Sequence, residues 1–327
     1  MSKNFSIIIP IKDRSEFTFR VLSYLALNKF SYKIYLSDGS YNKYKNKKIY
    51  NIFKKKLDLI YLPFPYDKNY FFFLKKIYQT LKIADAQNIM LLPNDDFINI
   101  NFFNKYIKKK YSNKIISGIN LDFKINNFFN YINDFGKISK RTSKKKNYNI
   151  NLKNKNKFQR VKFMKYFNPW ESILPKKILL KVFSYSLDFK VKNHYEFMWF
   201  FQLFPLYHAK CIFLSKPIIA RQSNTYSSEG DALRFPKNFS NPIRLKQFKN
   251  FIFSKTKNKE LLNLINNLEF IYAPNYSILR IIIQKIVYLK LLLSKICSNK
   301  ILRKNIKIEK KNYSYIFKFI ENYFKVN

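Results

Sequence analysis

Two adjacent acids, Asp95 and Asp96, are well placed for chemistry because they follow a short apolar segment, NIMLL, that ends at Leu92. Adjacent carboxylates at the end of a strand can hold a hard divalent cation such as Mg²⁺, together with phosphate oxygens of a substrate. The chain has only 19 acidic residues, so two at one point are notable. An alternative is that Asp96 simply caps a helix beginning in the FINI segment that follows.

Two further acids could act on a bound ligand. Asp38 follows another apolar segment, in KIYLSDGS, and could accept a hydrogen bond from a ribose hydroxyl or a nucleobase N–H. Asp-Gly is also an ordinary turn sequence. Glu196 is the one acid of the aromatic segment 190–204, where loss of water would raise its pKa as a general base requires. The alternative is an exposed glutamate on a helix face.

Three basic residues could contact an anionic ligand. Arg221 ends the segment PIIAR, and a guanidinium can pair with two diphosphate oxygens at once. Lys12 and Arg14 follow the apolar segment at the start of the chain. For all three residues, an ordinary surface position is the alternative.

The elements that must position these residues alternate between strands and helices over the first 120 residues. Helices are predicted for Phe17 to Leu27 and for Tyr70 to Ile83, with a short exposed helix within 42–56. The predicted strands cover residues 5–12, 32–36, 57–62, 88–92 and 114–119. This order indicates a mostly parallel sheet, whose ligands bind outside the carboxyl ends of the strands. The polar clusters after three strands should therefore lie together.

The second half of the chain gives weaker patterns. The polar, basic segment 121–165 predicts a solvated loop or insertion. Residues 172–183 and 194–204 predict helices, while 209–213 and 217–220 predict short strands. The last hundred residues are helical and basic in pattern. We therefore expect a catalytic domain over residues 1–225 and a basic helical region over residues 226–327.

Three segments in order, FSIIIPIKDR, KIYLSDGS and NIMLLPNDDF, resemble the N-terminal half of family 2 glycosyltransferases. The similarity covers roughly residues 5–120 and is greatest to a bacterial branch with a D-D-D-F motif. It implies a GT-A fold: an α/β, Rossmann-like, mostly parallel sheet flanked by helices, here with a helical C-terminal extension.

The resemblance also implies residue roles. Asp96, helped by Asp95, would hold Mg²⁺ or Mn²⁺ at the sugar diphosphate, and Asp38 would contact the nucleoside. Glu196 would take the proton from the acceptor hydroxyl in an inverting transfer. Donor-binding residues are implied at Pro10, Lys12, Arg14 and Arg221.

The sequence departs from the family pattern at three places. Asn94 stands where the first acid of the D-x-D motif is usual, and Ser37 replaces the first acid of a D-D-G-S motif. Asp67, Lys68 and Asn69 occupy a region where a glycine-containing helix start is usual. A catalytically inactive protein that keeps the fold therefore stays open as an alternative.

The function expected from the resemblance is transfer of a sugar from a nucleoside-diphosphate sugar to a hydroxyl of a glycan or lipid-linked acceptor. Bacterial surface glycan synthesis at the inner face of the membrane is the expected setting. The start of the chain has an apolar segment too short for a signal peptide, which favours the cytoplasm. Two cysteines and two histidines give no disulfide framework or zinc motif.

The formal charge of +44 leaves a choice of anionic partners. Residues 276–297 form an apolar stretch interrupted by basic residues, which suits a helix lying on an anionic membrane surface or a core helix. A nucleic-acid-binding protein is the other alternative, because tyrosines and lysines are interleaved. The absence of a nucleic-acid motif and the even spread of lysines argue against it.

Overall fold

The computed structural model describes residues 4–106, 114–125, 138–143, 152, 155–164, 167–222, 242–266 and 319. A nine-stranded mixed sheet runs through these residues, in the spatial order β3-β2-β1-β4-β8-β6-β9-β5, with β7 paired to β6. The strands are β1 Phe5–Ile11, β2 Lys33–Asp38, β3 Leu59–Pro63, β4 Asn88–Leu91, β5 Phe97–Ile98, β6 Lys114–Ile125, β7 Ile138–Ser143, β8 Ser172–Pro175 and β9 Lys210–Gln222.

The first four strands form a parallel sheet. β1 pairs with β2 on one side and with β4 on the other, and β2 pairs with β3. β1 is rich in isoleucine, which suits a strand covered on both faces. Its side chains alternate, so Ile8 joins one core cluster while Ile7 and Ile9 join the other. We call the edge where these four strands end the carboxyl edge.

Helices cover both faces of the sheet. The helices are α1 Ser15–Leu27, α2 Tyr44–Phe53, α3 Tyr70–Ile83, α4 Ile100–Tyr106, α5 Lys157–Val161, α6 Lys176–Asp188, α7 His194–His208, α8 Pro242–Thr256 and α9 Lys259–Asn266. α1 and α2 bury their apolar residues in the cluster that contains Ile7 and Ile9. α3 and the later helices α6 to α9 share the opposite cluster. The predicted helix over 70–83 is confirmed at both ends.

Three predictions for the second half were wrong. Residues 172–183 begin with a buried strand, β8, whose residues pair with both β4 and β6 before α6 starts. The segment 121–165 is not one loop, because β6 continues to Ile125 and pairs with β7. The two short strands expected over 209–220 are a single strand, β9, which follows β6 through register shifts.

The loop from β1 to α1 has an unusual backbone. Asp13 and Arg14 both have a positive φ, 55° and 56°, in the left-handed region that costs a residue with a side chain about 1–2 kcal/mol. Hydrogen bonds across the carboxyl edge stabilise this shape: the N–H of Asp13 donates to Ser40 Oγ at 2.7 Å, and Asp13 Oδ1 accepts from the N–H of Tyr41 at 3.1 Å. The loop after β2 therefore fixes the loop after β1.

Candidate active site

The segment Asn94-Asp95-Asp96 follows β4 at the carboxyl edge, as the sequence predicts. The Asn94 side-chain amide donates to Thr18 Oγ1 at 3.2 Å, so this residue holds the first turn of α1. Asp95 Oδ2 accepts a hydrogen bond from Arg14 Nη2 at 2.9 Å, in an ion pair that is mostly buried. Two residues predicted to bind the donor, Arg14 and Asp95, therefore contact each other.

Asp96 is buried and lies among charged groups. Its Oδ1 accepts a hydrogen bond from the backbone N–H of Gln222, at the end of β9, over 3.1 Å. Burial raises the pKa of Asp96 well above its ordinary value, the charge of Asp95 adds to this shift, and the charge of Arg221 opposes it. Glu171 lies close enough to raise the same pKa further. The charged form of Asp96 is therefore costly at the carboxyl edge.

Glu171 is the acid of this site that the sequence analysis missed. It ends a 3-10 turn, Pro169–Glu171, directly before β8. Since β8 runs antiparallel to β4, the start of β8 lies where β4 ends, and this brings Glu171 to the carboxyl edge. Its Oε1 lies 3.7 Å from Nη1 of Arg221, and Glu171 itself is buried. Asp95, Asp96 and Glu171 are called the acid cluster below.

A buried arginine, Arg20 of α1, ties the acid cluster to β9. Its Nη2 donates to the backbone carbonyl of Asp95 at 3.0 Å and to Oε1 of Gln222 at 2.8 Å. Gln222 is the residue whose N–H holds Asp96. The rings of Phe17 and Phe97 lie against the Arg20 guanidinium at 4.7 and 5.0 Å. Arg20 therefore fixes the loop after β4 relative to the end of β9.

Asp38 has the surroundings of a residue that shapes a turn. Its carboxylate is fully buried and accepts hydrogen bonds from the N–H of Ser40 at 2.9 Å, the Asn46 amide at 3.1 Å and the Tyr61 hydroxyl at 2.7 Å. These contacts join the turn after β2 to α2 and β3. The predicted contact of Asp38 with a nucleoside stays a prediction, and in this structure the carboxylate points at its protein partners.

A buried ion pair lies beside that turn. Asp67 Oδ2 accepts from Nζ of Lys76, whose side chain is equally buried, and the same Nζ donates to the carbonyl of Ile11 at 2.7 Å. Burial raises the pKa of Asp67, and the charge of Lys76 opposes the shift. A Cβ on Gly39 would lie 2.3 Å from Oδ1 of Asp67, so a glycine is required there. Nothing in the sequence analysis had paired Asp67 with Lys76.

Two more predicted donor-binding residues lie at the same edge. Pro10 is in β1, opposite Ser37 in the parallel register. Lys12 is exposed in the following loop, and its Nζ lies 5.2 Å from the ring centre of Tyr66. The predicted set Pro10, Lys12, Arg14, Asp95 and Asp96 is therefore gathered at the carboxyl edge. Arg221 joins it from β9 through its ion pair with Glu171.

The role of Glu196 as general base stays a prediction, and the structure pairs this residue with an arginine. Glu196 lies in the first turn of α7, and its two carboxylate oxygens are taken up by Arg244 of α8, at 3.1 Å from Nε and 2.8 Å from Nη2. The N–H of Lys192 donates to the same carboxylate at 3.0 Å. A carboxylate held by a forked guanidinium has the geometry of a structural ion pair.

Partly exposed rings lie next to Glu171. Trp170 stacks on the His194 ring with centroids 6.2 Å apart, and Tyr70 Oη lies 3.2 Å from His194 Nδ1. Phe73 and Phe197 complete this contact with Trp170. The first turns of α3 and α7 thus meet the 3-10 turn that carries Glu171. This packing fixes the position of the turn that carries Glu171 at the carboxyl edge.

The acid cluster can be compared with the set of ligands that a divalent cation requires. Among the residues that the structure describes, no group of three His, Cys, Asp or Glu side chains forms a complete protein-only metal site. Oδ1 of Asp96 is held by Gln222, and within the described part of the chain no hydrogen bond reaches Oδ2. One or two carboxylates combined with substrate phosphates are the usual Mg²⁺ environment. The acid cluster fits that arrangement.

Comparisons with known proteins place the fold. No family model matches the chain, and no curated protein matches it. A solved structure of S. aureus TarS 1-349 in complex with UDP-GlcNAc is similar, with a TM-score of 0.50 and 13% sequence identity, covering 80% of this chain and 70% of that one. TarS 1-349 in complex with UDP matches with a TM-score of 0.42 and 12% identity over 81% and 75%.

This similarity confirms the predicted fold class: a mixed, mostly parallel α/β sheet flanked by helices, of the GT-A type. Within the described ranges, no helix has the length and apolar character needed to cross a membrane. The stretch 276–297, which we considered for membrane contact, lies outside the described residues.

Proposed function

We propose that this chain is a glycosyltransferase that moves a sugar from a nucleoside-diphosphate sugar to an acceptor hydroxyl. The observation that carries the proposal is the meeting of Asp95, Asp96, Glu171 and Arg221 at the carboxyl edge of a GT-A sheet. Ligands of such sheets bind at that edge. The structure of TarS with UDP-GlcNAc makes uridine-diphosphate sugars the first donors to test.

In this proposal Asp96 would hold Mg²⁺ or Mn²⁺, with Asp95 next to it. The cation, when bound, would neutralise the charge that develops on the departing diphosphate. Arg221 would contact the diphosphate as well. Its side chain is about one-third exposed at the carboxyl edge, so a ligand there can reach it. Asp38 and Lys12 would line the nucleoside end.

Glu171 is the proposed general base. Its carboxylate would take the proton from the acceptor hydroxyl while that oxygen forms a bond to the anomeric carbon. The bond between the anomeric carbon and the diphosphate oxygen breaks at the same time, and the electron pair leaves with the nucleoside diphosphate. In-line attack inverts the anomeric centre. The acceptor is proposed to be a glycan or lipid-linked sugar of a bacterial surface polymer.

A thermal-shift screen with UDP-, GDP-, CMP- and dTDP-sugars, with and without Mn²⁺, tests donor binding. A donor present at about 100 times its Kd should add roughly 2.7 kcal/mol to the free energy of unfolding. A shift with one nucleotide class that needs Mn²⁺ supports the proposal. Donor binding without release of nucleoside diphosphate, across many acceptors, would instead indicate a protein that keeps the fold without turnover.

A further inference from the structure

The first turn of α3 carries four aromatic residues in a row, and they divide into two pairs. Tyr70 and Phe73, three positions apart, pack against the core cluster under the sheet. Phe71 and Phe72 are partly exposed, and neither is among the residues packed against the two core clusters. Their rings contact each other, with centroids 6.1 Å apart. The fold therefore presents two phenylalanines to the surroundings at the carboxyl edge.

Two exposed tyrosines extend this surface. Tyr41 follows β2 and is 82% exposed, and Tyr66 follows β3 and is 39% exposed. Their ring centroids are 5.7 Å apart. The N–H of Lys68 donates to the carbonyl of Tyr66 at 2.8 Å, so a tight turn links Tyr66 to the start of α3. All four rings therefore lie at the edge where β2 and β3 end.

Lysines accompany these rings. Nζ of Lys12 lies 5.2 Å from the centre of the Tyr66 ring, and Nζ of Lys68 lies 4.8 Å from the centre of the Phe72 ring. Both lysines are exposed. Lysine can lay its apolar stem along such rings while its charge meets phosphate groups. We call the exposed surface formed by Tyr41, Tyr66, Phe71, Phe72, Lys12 and Lys68 the aromatic rim.

We propose that the aromatic rim lies on an anionic phospholipid surface. Aromatic rings at the level of the lipid headgroups, with lysines directed at lipid phosphates, are typical of proteins that lie on membranes. The chain has a formal charge of +44, which adds long-range attraction to such a surface. Exposed apolar side chains that occur singly need no explanation, but a contiguous patch beside basic residues does.

The ring geometry favours lipid over a single-stranded nucleic acid. Successive bases stack on ring faces. In the aromatic rim the planes of Tyr41 and Tyr66 are at 88°, and those of Phe71 and Phe72 are at 85°. Rings at right angles can still enter the lipid headgroup layer, because contact with lipid does not require the ring planes to be parallel.

The inference goes beyond the proposed transfer reaction and does not depend on it. The aromatic rim and the acid cluster lie at the same edge of the sheet, so a chain resting on its rim would turn that edge toward the membrane. A lipid-linked acceptor would then reach the acid cluster from the bilayer.

Vesicle co-sedimentation of the full chain tests this contact. We expect binding to phosphatidylcholine vesicles that contain roughly a quarter phosphatidylglycerol, and weak binding to phosphatidylcholine alone. The double variant Phe71→Ser/Phe72→Ser should bind the anionic vesicles roughly tenfold more weakly or worse, given the apolar area removed. Leu27→Ser/Ile83→Ser is the matched control, because these residues are 71% and 54% exposed at the ends of α1 and α3 far from the rim. The control should bind like the wild type.

A second measurement separates the rim from any other membrane contact of the chain. With Phe72→Trp, the added indole fluorescence should be quenched by lipids brominated near the headgroups, and with Leu27→Trp it should not. Equal quenching at the two positions, or unchanged sedimentation of the double serine variant, would overturn the proposal. Rim-dependent binding to oligonucleotides but not to vesicles would also overturn it. Donor-induced thermal shifts of each variant show whether the donor site is intact, independently of the lipid result.

Discussion

Two buried acids of this chain, Glu196 and Asp96, have opposite surroundings. The Glu196 carboxylate accepts hydrogen bonds from the Arg244 guanidinium and from the N–H of Lys192, so a positive charge lies directly beside it. Asp96 has one backbone N–H on Oδ1 and two other acids, Asp95 and Glu171, acting on it. Burial alone does not identify a functional acid. The difference lies in whether the fold supplies the partners or leaves them to a ligand.

The largest expected effect tests this comparison at two glutamates, Glu171 of the acid cluster and Glu196 of the ion pair, each replaced in turn by glutamine. Glu171→Gln should lower turnover roughly 10²–10⁴-fold, because it removes the proposed base, while donor affinity changes little. Glu196→Gln should leave turnover per folded molecule within a fewfold of the wild type. Release of nucleoside diphosphate under saturating donor measures both. If Glu196→Gln proved the slower enzyme, the assignment of the base would move back to α7.

Next in size is the effect of Asp96→Ala. Loss of the carboxylate that we propose holds the cation should reduce turnover by about 10²–10³-fold, the range found when one stabiliser of developing charge is removed. Donor-induced thermal shifts should no longer respond to Mn²⁺. Calorimetric titration of donor with and without Mn²⁺ is the deciding measurement. A variant that still binds donor more tightly with Mn²⁺ would contradict the role of Asp96.

The same glutamate that should matter little for turnover should matter for folding. Glu196→Gln leaves Arg244 without its counter-charge, and breaking a buried pair costs about 3 kcal/mol, or somewhat less here because the Arg244 side chain is 18% exposed. Urea denaturation measures the loss. A double variant, Glu196→Gln/Arg244→Met, should recover part of the stability, since no unpaired charge remains. No recovery in the double variant would mean that packing rather than charge dominates.

The smallest expected effect has the opposite sign. Asp96→Asn should raise the free energy of unfolding by about 0.5–2 kcal/mol in metal-free buffer, because it relieves a buried charge among like charges. The pKa of Asp96 is raised above 3.8, so its contribution to stability is present below about pH 4 and is lost as the pH rises through the raised value. The variant should lack that pH dependence. Urea denaturation at several pH values measures this. If the free energy of unfolding changed with pH equally in both proteins, the prediction would be wrong.

Much of the fold could be predicted from local sequence in the first half of the chain. Apolar segments such as FSIIIPI and NIML end in polar clusters, and parallel strands bring those clusters to one edge. β8 could not be predicted in the same way. Its four residues, SILP, run directly into KKILLKVF, and the joined pattern looks like one helix. Only pairing with β4 and β6 makes SILP a strand.

What the sequence analysis missed in the site has the same origin. Because β8 was predicted as helix, Glu171 had no strand end to mark it as a site residue. The partner of Glu196 is Arg244, which lies 48 positions along the chain, so no local pattern shows that this acid is already paired. Asp95, Asp96 and the basic residues near β1 were predicted correctly to lie at one edge, since strand order alone determines that. Their individual roles stay predictions.

The helix α8 has a practical consequence for anyone who shortens this chain. Phe248 and Ile252 of α8 are buried in the core cluster, and the Phe248 ring lies 4.9 Å from Phe200 and 5.3 Å from Trp199. A fragment ending at residue 225, where the sequence suggests a boundary, would lack α8 and expose the rings of Trp199 and Phe200 to water. Such a fragment should aggregate during expression. A shortened chain should also keep Phe319, whose ring lies 5.2 Å from that of Tyr24 and 6.0 Å from that of Phe97.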